Sequence, residues 1–153
     1  MRRAWQIGLL ASLLAVVAGA APAAENLKIN PNLKYDSDSD EGPLFTGIDL
    51  SNARIAGDRP THIIFFQRTC YNSKRQARRT VALYEKYRGR VHFITVDLDT
   101  ARAPEQRRLI DRFYRGSIPH LTILGKDGRV LCNDAGEVSE KQLADIFDRA
   151  LAY

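Results

Sequence analysis

The strongest constraint on the fold lies between Thr61 and Leu98. His62 to Phe66 is a short run of β-branched and aromatic residues behind Pro60, the composition of a strand buried on both faces. Ser73 to Arg88 then places Ala77, Thr80, Leu83, Tyr84 and Tyr87 at helical spacing and stops at Gly89. Val91 to Leu98 reads as a second strand. Strand, helix and strand in that order favour parallel pairing through a helical crossover, so the chain should build an α/β sheet with helices on its faces.

The C-terminal third extends that sheet. Pro104 suits the first turn of a helix that would bury Leu109, Ile110 and Phe113 and end near Arg115-Gly116. Ile118-Pro119 precedes a strand from His120 to Leu124. The turn Gly125-Lys126-Asp127-Gly128 joins it, as a hairpin, to a strand from Arg129 to Asn133. Ser139 with Gln142 makes a capping-box pattern before Leu143, Ile146, Phe147 and Ala150, which predicts a C-terminal helix.

The N-terminal part is of another kind. Met1-Arg2-Arg3 is followed by 21 residues without a charge, Ala4 to Ala24, ending in small residues with a cleavable Ala21-Pro22-Ala23. That pattern predicts a signal peptide over 1–23 and a periplasmic or secreted protein; the alternative is a retained membrane anchor, the one circumstance in which a membrane would be a partner. Residues 24–60 read as a polar extension, with Pro31, the acidic run Asp36 to Glu41, Gly42-Pro43 and Gly57 to Pro60. Within it, Leu44-Phe45 and Ile48 to Leu50 could supply one edge strand or a packed turn. Cleavage before Ala24 would leave 130 residues, enough for one modest core and too few for two domains, and the legible elements place that domain at 61–153. Without Arg2 and Arg3 there are 21 bases against 18 acids, a net +3, so the chain has no global polyelectrolyte character.

Two cysteines, Cys70 and Cys132, remain for an oxidising compartment, where the first reading is a structural disulfide. Cys70 instead stands where the first strand meets its helix. Unpaired backbone N–H groups and the helix dipole favour thiolate over thiol there, and Arg68, Lys74 and Arg75 should add to the effect. From Arg68 to Arg90 there are eight bases against Glu85 alone, a net +7. The other possibility is a solvated basic helix with an inert cysteine.

Four features in order, Cys70-x-x-Ser73 between strand and helix, Tyr87-x-Gly89-x-Val91, Ile118-Pro119 before the hairpin, and Asp127-Gly128 with Gly136, resemble the thioredoxin family over Thr61 to Leu151. The resemblance implies a three-layer α/β/α sandwich with a mixed sheet. It also implies a cis proline at Ile118-Pro119, against the alternative of a trans proline opening a strand, and a substrate groove formed by Ile118, Pro119, Ala135 and Gly136. Tyr71 would add an aromatic contact, unless it is a packing residue.

Departures from the family shape the expected chemistry. Ser73 replaces the second cysteine, and a hydroxyl cannot attack a disulfide sulfur, so Cys70 with Ser73 implies monothiol exchange resolved by an external thiol. Ile64 stands where thioredoxins bury an acidic residue, Thr69 replaces a tryptophan beside the cysteine, and Tyr71-Asn72 replaces Gly-Pro. In such a sheet Cys132 falls on an outer strand, too far from Cys70 for a disulfide. His62, His92 and His120 are expected to be strand histidines with satisfied hydrogen bonds, His120 alone being placed to approach Cys70.

The expectation is therefore an exported, monomeric monothiol exchange protein acting on protein thiols or disulfides, with glutathione as a candidate co-substrate and no other cofactor or metal. The rival is a non-catalytic adaptor whose groove and basic helix bind an extended or acidic partner. Nucleic acid is not expected as a partner, since export removes the usual target.

Overall fold

The computed structural model describes residues 25–30, 44–47, 53–100 and 103–153. The apolar N-terminal run, Pro31, the acidic run at 36–41, Gly42-Pro43 and the Ile48–Leu50 island lie outside the described residues. The elements are β1 (Leu27–Ile29), β2 (Phe45–Gly47), β3 (Thr61–Phe66), α1 (Tyr71–Tyr87), β4 (His92–Asp97), α2 (Pro104–Phe113), β5 (His120–Leu124), β6 (Val130–Ala135) and α3 (Glu140–Leu151). Helix α1 begins two residues before the expected Ser73, and β6 runs two residues past Asn133.

The four-stranded sheet has the order β4-β3-β5-β6. β3 and β4 are parallel, with Thr61 opposite His92 and Phe66 opposite Asp97. β5 runs antiparallel to β3, pairing Thr61 with Leu124 and Phe65 with His120, and β6 runs antiparallel to β5. All six residues of β3 and of β4 are buried, as the unbroken apolar runs predict.

Alternation along the strands feeds two cores. Ile64, Phe66, Phe93, Leu121 and Ile123 point to the side covered by α1 and α3. Ile63, Phe65, Ile94, Val96 and Leu124 point to the side covered by α2 and Ala53. The result is a three-layer α/β/α sandwich around a mixed sheet. At α3 the capping box is present, with the Ser139 hydroxyl accepting from the Gln142 N–H and the Gln142 side chain from the Ser139 N–H.

The small β1–β2 sheet, which pairs Leu27 with Gly47 and Ile29 with Phe45, packs into the first core. Phe45 is fully buried and meets Phe66 edge-on with ring centroids 5.1 Å apart. Buried Asn26 bonds the backbone of β4 twice, donating from Nδ2 to the Thr95 carbonyl at 3.0 Å and accepting the Thr95 N–H at 2.8 Å. Gly47 lets the two meet: a Cβ there would lie 3.3 Å from Asn26 Nδ2. Packing thus runs across position 61 into the segment that composition marks as polar.

The histidines depart in part from expectation. His92 donates from Nε2 to the Arg54 carbonyl, 3.0 Å away. His62 lies edge-on against Phe93 and Phe147, and neither of its ring nitrogens has a partner among the described residues. The strand pattern shows that His62 is inward, but not that the rings of Phe93 from β4 and Phe147 from α3 are what it meets there.

Candidate functional site

The chain leaves β3 at Phe66, crosses to Thr69 in a short turn and enters α1 with Cys70 as N-cap. Cys70 has extended backbone (φ −76°, ψ 119°) and makes no side-chain capping bond, and no acid occupies the first turn. Its carbonyl accepts the Lys74 N–H at 3.0 Å, closing the first turn. The thiol is half-buried and free. Cys70 therefore stands at the C-terminal end of a central parallel strand and at the N-terminus of the helix after it, where N–H groups lack intrahelical partners.

Two carboxylates, Asp97 at the end of β4 and Asp99 just past it, hold the turn before it. Arg68 donates its backbone N–H to Asp99 Oδ2 at 2.7 Å and its Nε to Asp97 Oδ2 at 2.6 Å, while the Asp99 N–H bonds Asp97 Oδ1 at 2.9 Å. Parallel pairing explains the arrangement, since the register that sets Asp97 beside Phe66 brings both acids to the Cys70 turn. Ser73, one turn into α1, is buried, and its Oγ accepts the Gln67 N–H at 3.5 Å. Leu44, Phe45, Phe66 and Ala77 surround it. The serine hydroxyl thus faces the preceding turn from an apolar recess.

The opposite wall comes from the β3–β5 register. Because Phe65 pairs with His120, Pro119 falls level with Phe66, at the Cys70 end of the sheet. The Ile118-Pro119 bond is cis. The Gly136 N–H donates to the Pro119 carbonyl at 2.8 Å, and Ala135 pairs with His120, so Ile118, Pro119, Ala135 and Gly136 form one rim. Gly136 has φ +94°, a left-handed conformation that favours glycine.

That rim is fastened to α1. Glu137 binds Arg75 through two hydrogen bonds, one of them 3.0 Å from Nε, and Arg79 at 3.1 Å. Buried Gln76 accepts the Val138 N–H at 2.9 Å. The paired Arg75 holds the Glu137 carboxyl below the usual carboxylate range, and the Glu137 hydrogen bond in turn raises Arg75. Arg75 also lies 4.6 Å from the Tyr71 ring centroid, with Nη2 on Asn72 Oδ1 at 3.0 Å. Tyr71, 50% exposed, is braced beside Cys70. Of the three cations expected to act on Cys70, Arg68 and Arg75 are matched by carboxylates, and Lys74 lines the recess beside Ser73.

Cys132 is not brought to this site. It lies on β6, two strands from β3, or about 10 Å away at ordinary strand spacing. Its Sγ donates to Asp134 Oδ2 at 3.2 Å, and burial, then that hydrogen bond, push the thiol up to about 12. His120 is not brought there either. Its ring lies on the α2 side, 5.8 Å from both Phe65 and Tyr114, with Nε2 on Asn133 Oδ1 at 3.1 Å. The expected approach of His120 to Cys70 does not occur because β5 turns that side chain to the other face.

Asp97, Asp99 and Glu137 are parts of the site that sequence reasoning misses. Val96-Asp97-Leu98-Asp99 at the end of a parallel strand carries a signal for the first two; nothing local marks Glu137. Among the described residues no group of three or more His, Cys, Asp or Glu could hold a metal ion.

No protein-family model matches the chain, and no curated protein matches it. Solved structures do. A malarial protein is 22% identical with a TM-score of 0.51, covering 61% of this chain and 99% of its own. Thioredoxin-2, described as a component of malaria parasite protein secretion machinery, is 23% identical with a TM-score of 0.52, covering 60% of this chain and 84% of its own. Chloroplastic thioredoxin z is 23% identical with a TM-score of 0.52, covering 63% and 81%. With the sheet order, the helix-capping cysteine and the cis proline already described, these likenesses show that the chain has the thioredoxin fold.

Proposed function

We propose that this chain is an exported thiol–disulfide exchange protein that works through one thiol, Cys70. The observation that supports this best is a free, half-buried cysteine as N-cap of α1, the end of a helix whose first N–H groups lack intrahelical partners and favour the negative charge that develops on sulfur during exchange. The Cys70 thiolate attacks one sulfur of a client or glutathione disulfide. A bond forms between them, the client S–S bond breaks, and the other sulfur leaves as a thiolate. An external thiolate then attacks the client sulfur of the mixed disulfide and returns Cys70 as thiolate, so the protein gains no net electrons.

Ser73 has no part in the second step because its hydroxyl cannot displace sulfur. In this reading Tyr71, Ile118, Pro119, Ala135 and Gly136 receive the client backbone and Arg68, Lys74 and Arg75 surround the reacting sulfur. The uncharged N-terminal run would deliver the protein to the periplasm or outside the cell.

Non-reducing gels of wild type, Cys70→Ala and Ser73→Cys, after exposure to oxidised glutathione or a disulfide-bonded client, test the reading. Wild type should form reductant-sensitive adducts, Cys70→Ala none, and Ser73→Cys an internal disulfide in place of adducts, since positions 70 and 73 share a helix face. Adducts that persist in Cys70→Ala, or none in wild type, would overturn it, and the latter result would leave the adaptor reading.

A further inference from the structure

A second concave site lies at the opposite end of the sheet from Cys70. The β5–β6 turn and α3 enclose a recess of about 270 Å³. It adjoins Gly125, just past the Leu124 that pairs with Thr61, so the six residues of β3, about 20 Å of strand, separate it from the Cys70 turn. Half-buried Leu131 and Ile146 and buried Ala150 form its floor, and the exposed Tyr153 adds apolar area.

Charge around the recess is predominantly positive, three cations lining it against one acid, Asp127. Lys126, Arg129 and Arg149 line it and are exposed. Among the described residues none of the three has a side-chain hydrogen bond or ion pair, because the nearby acids are engaged elsewhere. Asp127 Oδ1 accepts the Arg129 backbone N–H at 3.1 Å within the turn. Asp145 is held by Lys141 at 2.8 Å, with Arg149 acting on it only from farther off. Asp148 accepts the Tyr87 hydroxyl at 2.8 Å.

An apolar floor beneath unmatched guanidiniums is complementary to a molecule with both an apolar body and an anionic head. Floor and rim together argue against a purely ionic or purely apolar occupant, and the modest volume argues for a small one. The geometry points to a binding site for a small amphiphilic carboxylate, its alkyl or aryl body on Leu131, Ile146 and Ala150 and its head met by Arg129 and Arg149. Two planar guanidiniums suit a planar carboxylate, which each can grip through paired N–H donors. The site does not depend on Cys70 chemistry.

Titration of the purified protein with octanoate, followed by amide chemical shifts, tests it. Saturable shifts should centre on Gly125, Leu131, Ile146 and Ala150 and be the same in Cys70→Ala. Acetate, which has the head without the body, and octylammonium, which has the body with the opposite charge, should bind far more weakly. Arg129→Gln with Arg149→Gln should raise the octanoate Kd about tenfold or more, as expected for losing charge-assisted hydrogen bonds. Equal binding of acetate or octylammonium, tighter binding of octyl phosphate, an unchanged Kd in the double variant, or no saturable shift would each overturn the assignment.

Discussion

Cys70 and Cys132 are the same side chain in opposite settings. One stands at the N-cap of a helix at the end of a central strand, whereas the other lies on an edge strand where burial, and then the Asp134 carboxylate, keep it protonated. His62 makes the same point for a titrating group. Burial alone, with no polar neighbour to offset it, lowers His62 to about 3 from an ordinary value of 6.5. Its effect on stability has a definite sign. Below 6.5 the unfolded chain takes up a proton that the folded chain refuses until about pH 3, so His62 costs nothing at neutral pH and stability is lost as pH falls through that window. At pH 5 the penalty is about 2 kcal/mol, from 1.36 kcal/mol per pH unit. Urea unfolding at pH 7.5 and pH 5 should therefore show a larger loss for wild type than for His62→Leu, by about that amount. His92, also lowered by burial, keeps some acid sensitivity in both proteins. Equal losses would mean that water or a polar group reaches the His62 ring.

At the scale of elements, the joint between α1 and the loop after β6 holds the two sides of the groove together. Its two kinds of bond should differ in strength. Arg75, Arg79 and Glu137 remain partly exposed, so the ion pairs are screened and Glu137→Gln should cost about 0.5 kcal/mol. Gln76 is fully buried and holds the Val138 N–H, so Gln76→Ala should cost about 2 kcal/mol by leaving that donor unpaired. Denaturant midpoints with unchanged m-values would measure both; a costlier Glu137→Gln would reverse the ranking. These contacts also mark what could be read from the sequence. The βαβ core, the capping box at Ser139 and the place of Cys70 were legible because each rests on residues within one turn or strand. The Arg75–Glu137 pair joins positions 62 apart and leaves no local trace. β1 is only Leu-Lys-Ile, too short for any period to declare itself.

For the molecule as a whole, the sheet has the Cys70 turn at one end and a cationic recess at the other, and its β4 edge is guarded from an unexpected quarter. An edge strand with unpaired backbone groups invites pairing with other chains, and Asn26 answers both the N–H and the carbonyl of Thr95. Phe45 completes the core above it. If β1 and β2 were an appendage, changes there would leave the rest of the fold alone. The burial of Phe45 and its edge-on contact with Phe66 argue otherwise. Phe45→Ala should cost about 3–5 kcal/mol, the range for emptying an aromatic site in a core, and Asn26→Ala about 2 kcal/mol for the backbone groups it strands. That sum is a large part of the roughly 5–15 kcal/mol that holds a typical domain together, so the double variant should be close to unfolding at about 37 °C. Equilibrium unfolding monitored by circular dichroism would give both values. A loss below about 1 kcal/mol for Phe45→Ala, well under the cavity range, would show that the β1–β2 sheet is dispensable to the fold.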